Sequence, residues 1–198
     1  MTNEYKTREE WLVAATQLLQ TQVFKPVGLE VPSDVKVSCS FPSSGGLGRR
    51  KRTIGQCFSR SCSDAKVNEV FISPTEDDAI EVMGTLVHEL IHAIDDCQNG
   101  HKKPFRDMAV LVNLEGKMTA TTSGEVLIGK LKIIFDELGA YPHQKIDASQ
   151  RKKQTTRMIK YECDCCGWKM RVSRQAAYQI QNHDCPTQCG GTLVGTRG

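Results

Sequence analysis

Three histidines and a glutamate between residues 88 and 101 have the types and the spacing of a zinc site. His88 and His92 are four residues apart, so on an α-helix they share one face, one turn above the other. Glu89 directly follows the first histidine, which puts its carboxylate beside a bound ion, where it can take a proton from a metal-bound water. The motif predicts the chemistry of a zinc hydrolase with Glu89 as its catalytic base.

The third zinc ligand has to come from outside this pair. A catalytic zinc ion takes three protein ligands and leaves its fourth position for water. His101 lies nine residues after His92 and follows Gly100, which lets the chain turn back once the helix has ended. We therefore expect His101 to complete the site. The alternatives that the sequence leaves open are Asp95, Asp96 and Glu115.

A second set of metal-binding residues consists of two cysteine hooks near the C-terminus. Cys163 and Cys166 form the first, and Cys185 and Cys189 the second, after eighteen intervening residues. Four thiolates on two such turns close a tetrahedral structural zinc site. Cys166 is preferred to Cys165 because a glycine follows it and lets backbone amides turn toward the sulfurs. The second hook has one residue more than the usual two between its cysteines, which leaves His183 open as a substitute for Cys185.

The sequence before the histidine motif predicts the helix that carries it. Ser73 is the predicted N-cap, with Pro74 at the first helical position and Glu76 completing a capping box. Apolar residues then recur at three- and four-residue spacing up to Ile94, giving a stripe that packs against a core. We expect this helix to start at Pro74 and to end near Asn99.

Other apolar patterns indicate a mixed α+β fold. Chain length allows one medium-sized domain followed by a small cysteine-rich one. A polar, basic linker at residues 147–156 separates the two. Helices are expected at residues 8–20, 105–114 and 125–138, and strands at residues 35–40 and 69–72.

The motifs together resemble the SprT-like (Spartan-type) metallopeptidase family, in the short form found in phages and bacteria. HELIHA at residues 88–93 and GHKKPF at residues 100–105 carry the resemblance, which extends over roughly residues 35–196. The resemblance implies a zincin-like catalytic domain at residues 1–150, with helices packed on a small sheet, and a small zinc ribbon at residues 151–198. It also implies action on proteins bound to DNA. Weaker similarity lies at residues 54–57, 71–74, 115–121 and 141–143.

Charge is unevenly divided along the chain. Residues 151–198 carry nine lysines and arginines against three acidic residues, whereas residues 1–150 are net acidic. Basic side chains can follow a phosphate backbone, and aromatic rings can stack on bases. A second basic cluster lies at residues 49–52. The residues predicted to bind nucleic acid are Arg151, Lys152, Lys153, Lys160, Trp168, Lys169 and Arg171.

Cysteine usage and the N-terminus bear on the compartment. Nine cysteines could form a disulfide framework in a secreted chain, but residues 1–10 contain no apolar signal core. We therefore expect reduced thiols in a cytoplasm, bacterial or that of a phage host. No run of residues approaches the roughly eighteen apolar positions needed to span a bilayer, so no membrane partner is expected. Cys57 and Cys62, with Cys39, are expected to be packed or free thiols.

These features predict a zinc metalloendopeptidase with one catalytic and one structural zinc ion. Glu89 would accept a proton from the zinc-activated water and return it to the leaving amine. Tyr141 and His143 are the candidate donors to the charge that develops in the transition state. The rival interpretation is a zinc-containing nucleic-acid-binding or transcription-associated protein whose HExxH site is structural or weakly active. Substrate identity and oligomeric state do not follow from the sequence.

Overall fold

The computed structural model describes residues 5–47, 52–150, 158–179 and 184–196. The chain divides into two compact units, residues 1–149 and residues 150–198. Each unit combines short strands with helix, so the mixed α+β class expected from the sequence is confirmed. Within the part of the chain that is described, no helix is both long enough and apolar enough to cross a bilayer.

The larger unit has four α-helices and five short strands in its described residues. Helix α1 continues into a π-helical turn at Gln20–Phe24. The expected helix at residues 125–138 and the expected strand at residues 69–72 match α4 and β3. The elements are α1 (Arg8–Leu19), β1 (Lys36–Cys39), β2 (Gly55–Phe58), β3 (Glu69–Ile72), α2 (Ala79–Ile94), α3 (Lys103–Leu111), β4 (Leu114–Lys117), β5 (Ala120–Ser123) and α4 (Glu125–Leu138).

A three-stranded sheet supports helix α2. Strand β3 lies in its middle, with β1 parallel to it on one side and β2 antiparallel on the other. Val70 and Ile72 of β3 are fully buried in the same core as α1, α2 and α4. The sheet and these helices therefore enclose α2, and the apolar stripe predicted for that helix is its buried face. Its fully buried residues include Val82, Met83, Leu86, Val87, Leu90 and Ile91.

Helix α2 begins later than the sequence suggested, so the predicted capping box at Ser73 is wrong. Asp78 is the N-cap, and its carboxylate accepts hydrogen bonds of 3.0 Å from the N–H groups of both Ile80 and Glu81. Ser73 is instead buried, and its hydroxyl lies 2.9 Å from the hydroxyl of Thr75. Serine side chains close local turns as readily as they cap helices, which is why the spacing misled.

The other end of α2 also differs from the expectation of a helix continuing to Asn99. The helix ends at Ile94, and its C-cap is Asp95. Asp96 and Cys97 then adopt left-handed backbone conformations, with φ of 51° and 60°. L-residues avoid such conformations in a right-handed helix, so the helix cannot pass through them.

A β-hairpin follows α3, in a segment between the two predicted helices for which the sequence had indicated no regular structure. Helix α3 ends at Leu111 rather than at residue 114, and Asn113 turns the chain with a φ of 62°. Strands β4 and β5 then pair antiparallel from Leu114↔Ser123 to Lys117↔Ala120. These strands are four residues each and largely exposed, so they lack the apolar alternation that marks a strand in sequence.

The smaller unit is built around a three-stranded antiparallel sheet. Strand β6 (Ile159–Cys163) lies between β7 (Lys169–Val172) and β8 (Leu193–Thr196), and a short helix α5 (Arg174–Gln179) follows β7. Among the described residues of this unit, the buried core consists of two apolar side chains and two cysteines. These are Tyr161, Cys163, Cys185 and Leu193.

Candidate metal centres

The fold brings the three histidines of the predicted catalytic site together. His88 and His92 project from one face of α2, and His101 comes from the connection between α2 and α3. The Nε2 atom of His101 lies 3.2 Å from the Nε2 atoms of both His88 and His92. With zinc–nitrogen bonds of about 2.0–2.1 Å, two ligand atoms on one tetrahedral ion are about 3.3 Å apart. The three nitrogens therefore fit a single ion.

Burial keeps these imidazoles neutral, which is the form that binds a cation. It lowers the pKa of His88 to about 3, with further lowering from the charges of the two neighbouring histidines. It lowers the pKa of His92 to about 4, where His101 adds to the effect and Asp95 opposes it. Burial also lowers the pKa of His101. At neutral pH all three rings have lone pairs free for a metal.

Thr121 of strand β5 orients the first histidine. Its hydroxyl oxygen lies 2.8 Å from Nδ1 of His88. When Nδ1 carries the proton and donates to this oxygen, the lone pair is left on Nε2, the atom that faces the other two histidines. Thr121 is thus placed to select the tautomer that a metal ion requires.

Phe105 of helix α3 packs against all three imidazole rings. Its ring stacks on His92 at a centroid distance of 4.4 Å and lies 4.8 Å from His88 and 5.1 Å from His101. Phe105 is fully buried, so it also shields this side of the cluster from water. One apolar side chain therefore restricts the orientation of three ligands.

Glu89 is held between α2 and strand β2. Its side chain is only 6% exposed. A Cβ atom on Gly55 would lie 2.5 Å from its Oε1 atom, so only glycine at this position leaves room for the carboxylate. Burial raises the pKa of Glu89 to about 8, with a further contribution from Cys97, while a hydrogen bond from the N–H of Cys57 opposes the shift. A cation at the three histidines would favour the ionised carboxylate.

The alternative third ligands are engaged elsewhere. Asp96 accepts hydrogen bonds from the N–H of Arg60 at 2.7 Å and from Asn68 at 2.8 Å. Asp95 accepts two hydrogen bonds from Asn99. Glu115 lies on the exposed part of β4. In the described residues, the group that could hold an ion beside His88 contains histidines alone.

The second cluster is formed by Cys163, Cys166, Cys185 and Cys189, whose sulfurs converge in the smaller unit. The Sγ atoms of Cys163 and Cys189 are 3.5 Å apart, and those of Cys166 and Cys185 are 3.6 Å apart. Zinc–sulfur bonds of about 2.3 Å place two sulfurs on one tetrahedral ion about 3.8 Å apart. The N–H groups of Cys165 and Cys166 both point at Sγ of Cys163. Four sulfurs with this spacing can hold one structural ion.

A left-handed backbone turn accommodates the extra residue of the second hook. Gln188 adopts a left-handed conformation with a φ of 57°. The hydroxyl of Thr187 then lies 3.0 Å from the sulfur of Cys185 and 3.3 Å from that of Cys166. Cys165 lies outside the four-sulfur group, and its thiol faces the carbonyl oxygen of Cys189. His183, the alternative ligand, lies outside the described residues.

The residues suggested as transition-state donors have their contacts away from the histidines. Tyr141 packs edge-on against Trp11, with a centroid distance of 5.0 Å, and the guanidinium of Arg8 lies over its ring. His143 is exposed and lines a cavity together with Arg8 and Cys39. Neither residue belongs to a candidate metal group in the described part of the chain.

Three of the predicted nucleic-acid-binding residues share one face of the ribbon sheet. Lys160 pairs with Arg171 across β6 and β7, and Glu162 pairs with Lys169. Glu162 forms ion pairs with both lysines and so offsets part of the positive charge. The indole of Trp168 precedes β7 and is exposed. Outside the described residues lie Arg151, Lys152, Lys153 and positions 49–51 of the second basic cluster.

Sequence reasoning missed Gly55, Thr121 and Thr187. Thr121 is 33 residues from the histidine that it contacts, and no local pattern links the two. Gly55 and Glu89 likewise meet only because β2 packs against α2. The second hook has three residues between its cysteines instead of two, and this unusual length was the one feature of the sequence that pointed to a special role for Thr187.

No protein-family model, curated protein or solved structure matches this chain. Its function must therefore be inferred from the two metal centres and their surroundings.

We expect two zinc ions per chain, one for each group. His101→Ala should lower this number to one, because two imidazoles alone bind zinc weakly, while the cysteine group keeps its ion. Native mass spectrometry of the purified protein measures the number directly. Glu115→Gln is the matched control and should retain both ions. A loss of zinc from Glu115→Gln, with none from His101→Ala, would contradict the three-histidine set.

Thr121→Val should weaken zinc binding at the histidine group by about 10- to 100-fold, because His88 then has no acceptor for its Nδ1–H. Thr121→Ser keeps the hydroxyl and should bind zinc nearly as the wild type does. Competition with a zinc chelator measures both affinities. Equal affinities for the valine and serine variants would show that the hydroxyl has no part in orienting His88.

Proposed function

We propose that this protein is a zinc metalloendopeptidase of the SprT-like type, with a zincin-like catalytic unit and a C-terminal zinc ribbon. The observation that carries the proposal is the convergence of three neutral imidazoles beside a buried glutamate. His88, His92 and His101 would hold the catalytic ion, which leaves its fourth position open. The four-cysteine group would hold the structural ion. The resemblance of HELIHA and GHKKPF to that family supports the same assignment.

The chemistry assigned to Glu89 follows from its environment. A zinc ion held by His88, His92 and His101 would supply Lewis acidity for the activation of water and of a carbonyl group. Glu89 accepts the proton of the attacking water and delivers it to the leaving amine. Its packing against Gly55 and the hydrogen bond from Cys57 hold the carboxylate in one position, so it is preorganised for both transfers.

Strand β2 supports a peptide as the substrate. It pairs with β3 on one side, and among the described residues no strand pairs with its other edge. An open edge can accept an extended peptide as an additional strand through main-chain hydrogen bonds. Gly55 belongs to β2 and touches Glu89, so a peptide bound along this edge would pass close to the catalytic base.

Glu89→Gln should reduce peptide cleavage by about 10²- to 10⁴-fold, because an amide cannot accept the proton. Both zinc ions should remain, since Glu89 is not a ligand. Cleavage is measured on a DNA-binding protein substrate with and without DNA, alongside zinc analysis. Glu81→Gln, an exposed change on the same helix, is the control and should cleave normally. Undiminished cleavage by Glu89→Gln would contradict the assignment of Glu89 as the catalytic base.

We also propose that the ribbon unit binds DNA and so directs the peptidase to DNA-associated proteins. The support is the row of cations on β6 and β7 and the exposed indole of Trp168, which directly precedes β7 in sequence. Binding without cleavage in the wild type, abolished by zinc removal, would favour the rival interpretation of a nucleic-acid-binding protein. A reducing cytoplasm is the proposed compartment, because the four cysteines of the metal group must stay reduced to bind zinc.

The double change Lys169→Ala and Arg171→Ala should weaken binding to single-stranded DNA. The slope of log affinity against log salt concentration should fall by about 0.7 for each phosphate that the variant no longer neutralises. Glu162→Gln should act in the opposite direction, because it removes the acid that pairs with two lysines. Fluorescence anisotropy over a salt series measures both effects. Lys132→Ala, an exposed change on α4, is the control, and an equal weakening there would contradict a ribbon-specific site.

A further inference from the structure

Cys57 and Cys97 meet next to Glu89, although 39 residues separate them in the chain. Cys57 lies on β2, and Cys97 follows α2 by three positions. The thiol of Cys97 points at the carbonyl oxygen of Cys57 at 3.6 Å. Interaction with the other thiol is the largest cause that raises the pKa of Cys57 and lowers that of Cys97, in agreement with this contact. Both residues are half-buried.

The turn that presents Cys97 is strained and held from both sides. Asp96 and Cys97 are consecutive non-glycine residues with positive φ, a conformation that is unfavourable for residues with a side chain. The N–H of Cys97 donates to the carbonyl oxygen of His92 at 2.8 Å. The carboxylate of Asp96 is fixed by Arg60 and Asn68. These contacts aim the Cys97 thiol at β2.

No other described cysteine outside the ribbon has a thiol neighbour of this kind. Cys62 is exposed, and its sulfur contacts the hydroxyl of Ser59. Cys39 accepts a hydrogen bond from Arg8. The pairing is therefore specific to Cys57 and Cys97, and none of the contacts already assigned to zinc binding uses either sulfur.

We propose that Cys57 and Cys97 form a reversible disulfide, with a low-molecular-weight disulfide such as oxidised glutathione as the oxidant. One cysteine sulfur attacks the glutathione disulfide and releases the first glutathione thiol, leaving a mixed disulfide on the protein. The second cysteine sulfur attacks that mixed disulfide and releases the other glutathione thiol. Two protein thiols are thereby oxidised to one disulfide, one glutathione disulfide is reduced to two thiols, and the two protons end on glutathione.

The disulfide acts on the site because both of its ends adjoin Glu89. Bonded sulfurs are about 2.05 Å apart, closer than any non-bonded contact, so β2 and the turn after α2 must move toward each other. The N–H of Cys57 is a hydrogen-bond donor to the Glu89 carboxylate, and Gly55 of the same strand leaves it no spare room. Oxidation therefore displaces the carboxylate and switches cleavage off. This consequence rests on the proposed peptidase function, whereas formation of the disulfide does not.

The test uses the full-length, zinc-loaded protein in glutathione buffers of graded oxidised-to-reduced ratio. Free thiols are alkylated, the protein is digested, and cross-linked peptides are identified by mass spectrometry. Wild type and the matched control Cys62→Ser should both yield the Cys57–Cys97 cross-link and lose it in dithiothreitol. Neither Cys57→Ser nor Cys97→Ser should yield it. Recovery of Cys57 and Cys97 as alkylated thiols in a buffer that has glutathionylated Cys62 would overturn the proposal.

Cleavage is measured on the same samples, each compared with its own reduced form. Oxidised wild type should be at least about tenfold less active, because a displaced catalytic group of this kind costs that much or more. Cys97→Ser should respond little to oxidation. Zinc content is followed in parallel, so loss of zinc from the ribbon is distinguished from the switch. Full activity of the cross-linked protein would contradict the regulatory effect. A reduced wild type that cleaves no substrate would refute the proposed peptidase function. The presence or absence of the cross-linked peptides would still show whether the disulfide forms.

Discussion

The burial of helix α2 is the constraint on which the rest of the larger unit depends. Six of its apolar side chains are fully enclosed, and each contributes about 1.5–3 kcal/mol to folding. Because these contacts hold the helix, its polar residues can be placed where water is scarce. Glu89 and His92 are 6% and 8% exposed. The neutral imidazoles and the raised pKa of the glutamate are direct consequences of that placement.

The elements around α2 supply what the helix itself cannot. Strand β2 approaches so closely at Gly55 that a side chain there would overlap the carboxylate of Glu89. From other elements, Thr121 is placed to select the tautomer of the first histidine, and Phe105 restrains all three rings. The strained turn after α2 redirects the chain, so that His101 returns to the helix it has just left. The geometry of the HELIH motif therefore depends on side chains from several other elements that pack around it.

In the smaller unit, unlike the larger one, burial of apolar side chains contributes little to folding. Its apolar core is minimal, and two of its four buried residues are themselves cysteines of the metal group. A chain segment of this size gains too little from burial to offset the entropy of folding, and ligation of an ion would supply the missing free energy. The side chain of Thr187 is the largest cause that lowers the pKa values of Cys166 and Cys189, which favours the thiolate form of these two sulfurs. An ion bound by the four cysteines would therefore couple metal binding to folding in this unit.

Spacing along the chain was enough to indicate the α+β class, most helices, the two histidines on one helix face and the cysteine hooks. These features are local: helical periodicity and hook length depend on residues a few positions apart. The start of α2 was misread because Ser73 and Asp78 both offer a cap, and only burial of the first decides between them. Tertiary structure alone placed Gly55 against Glu89, Thr121 against His88 and Cys57 against Cys97. Such contacts join segments that lie far apart in sequence, so no local pattern records them, and they exist only once the core around α2 has formed.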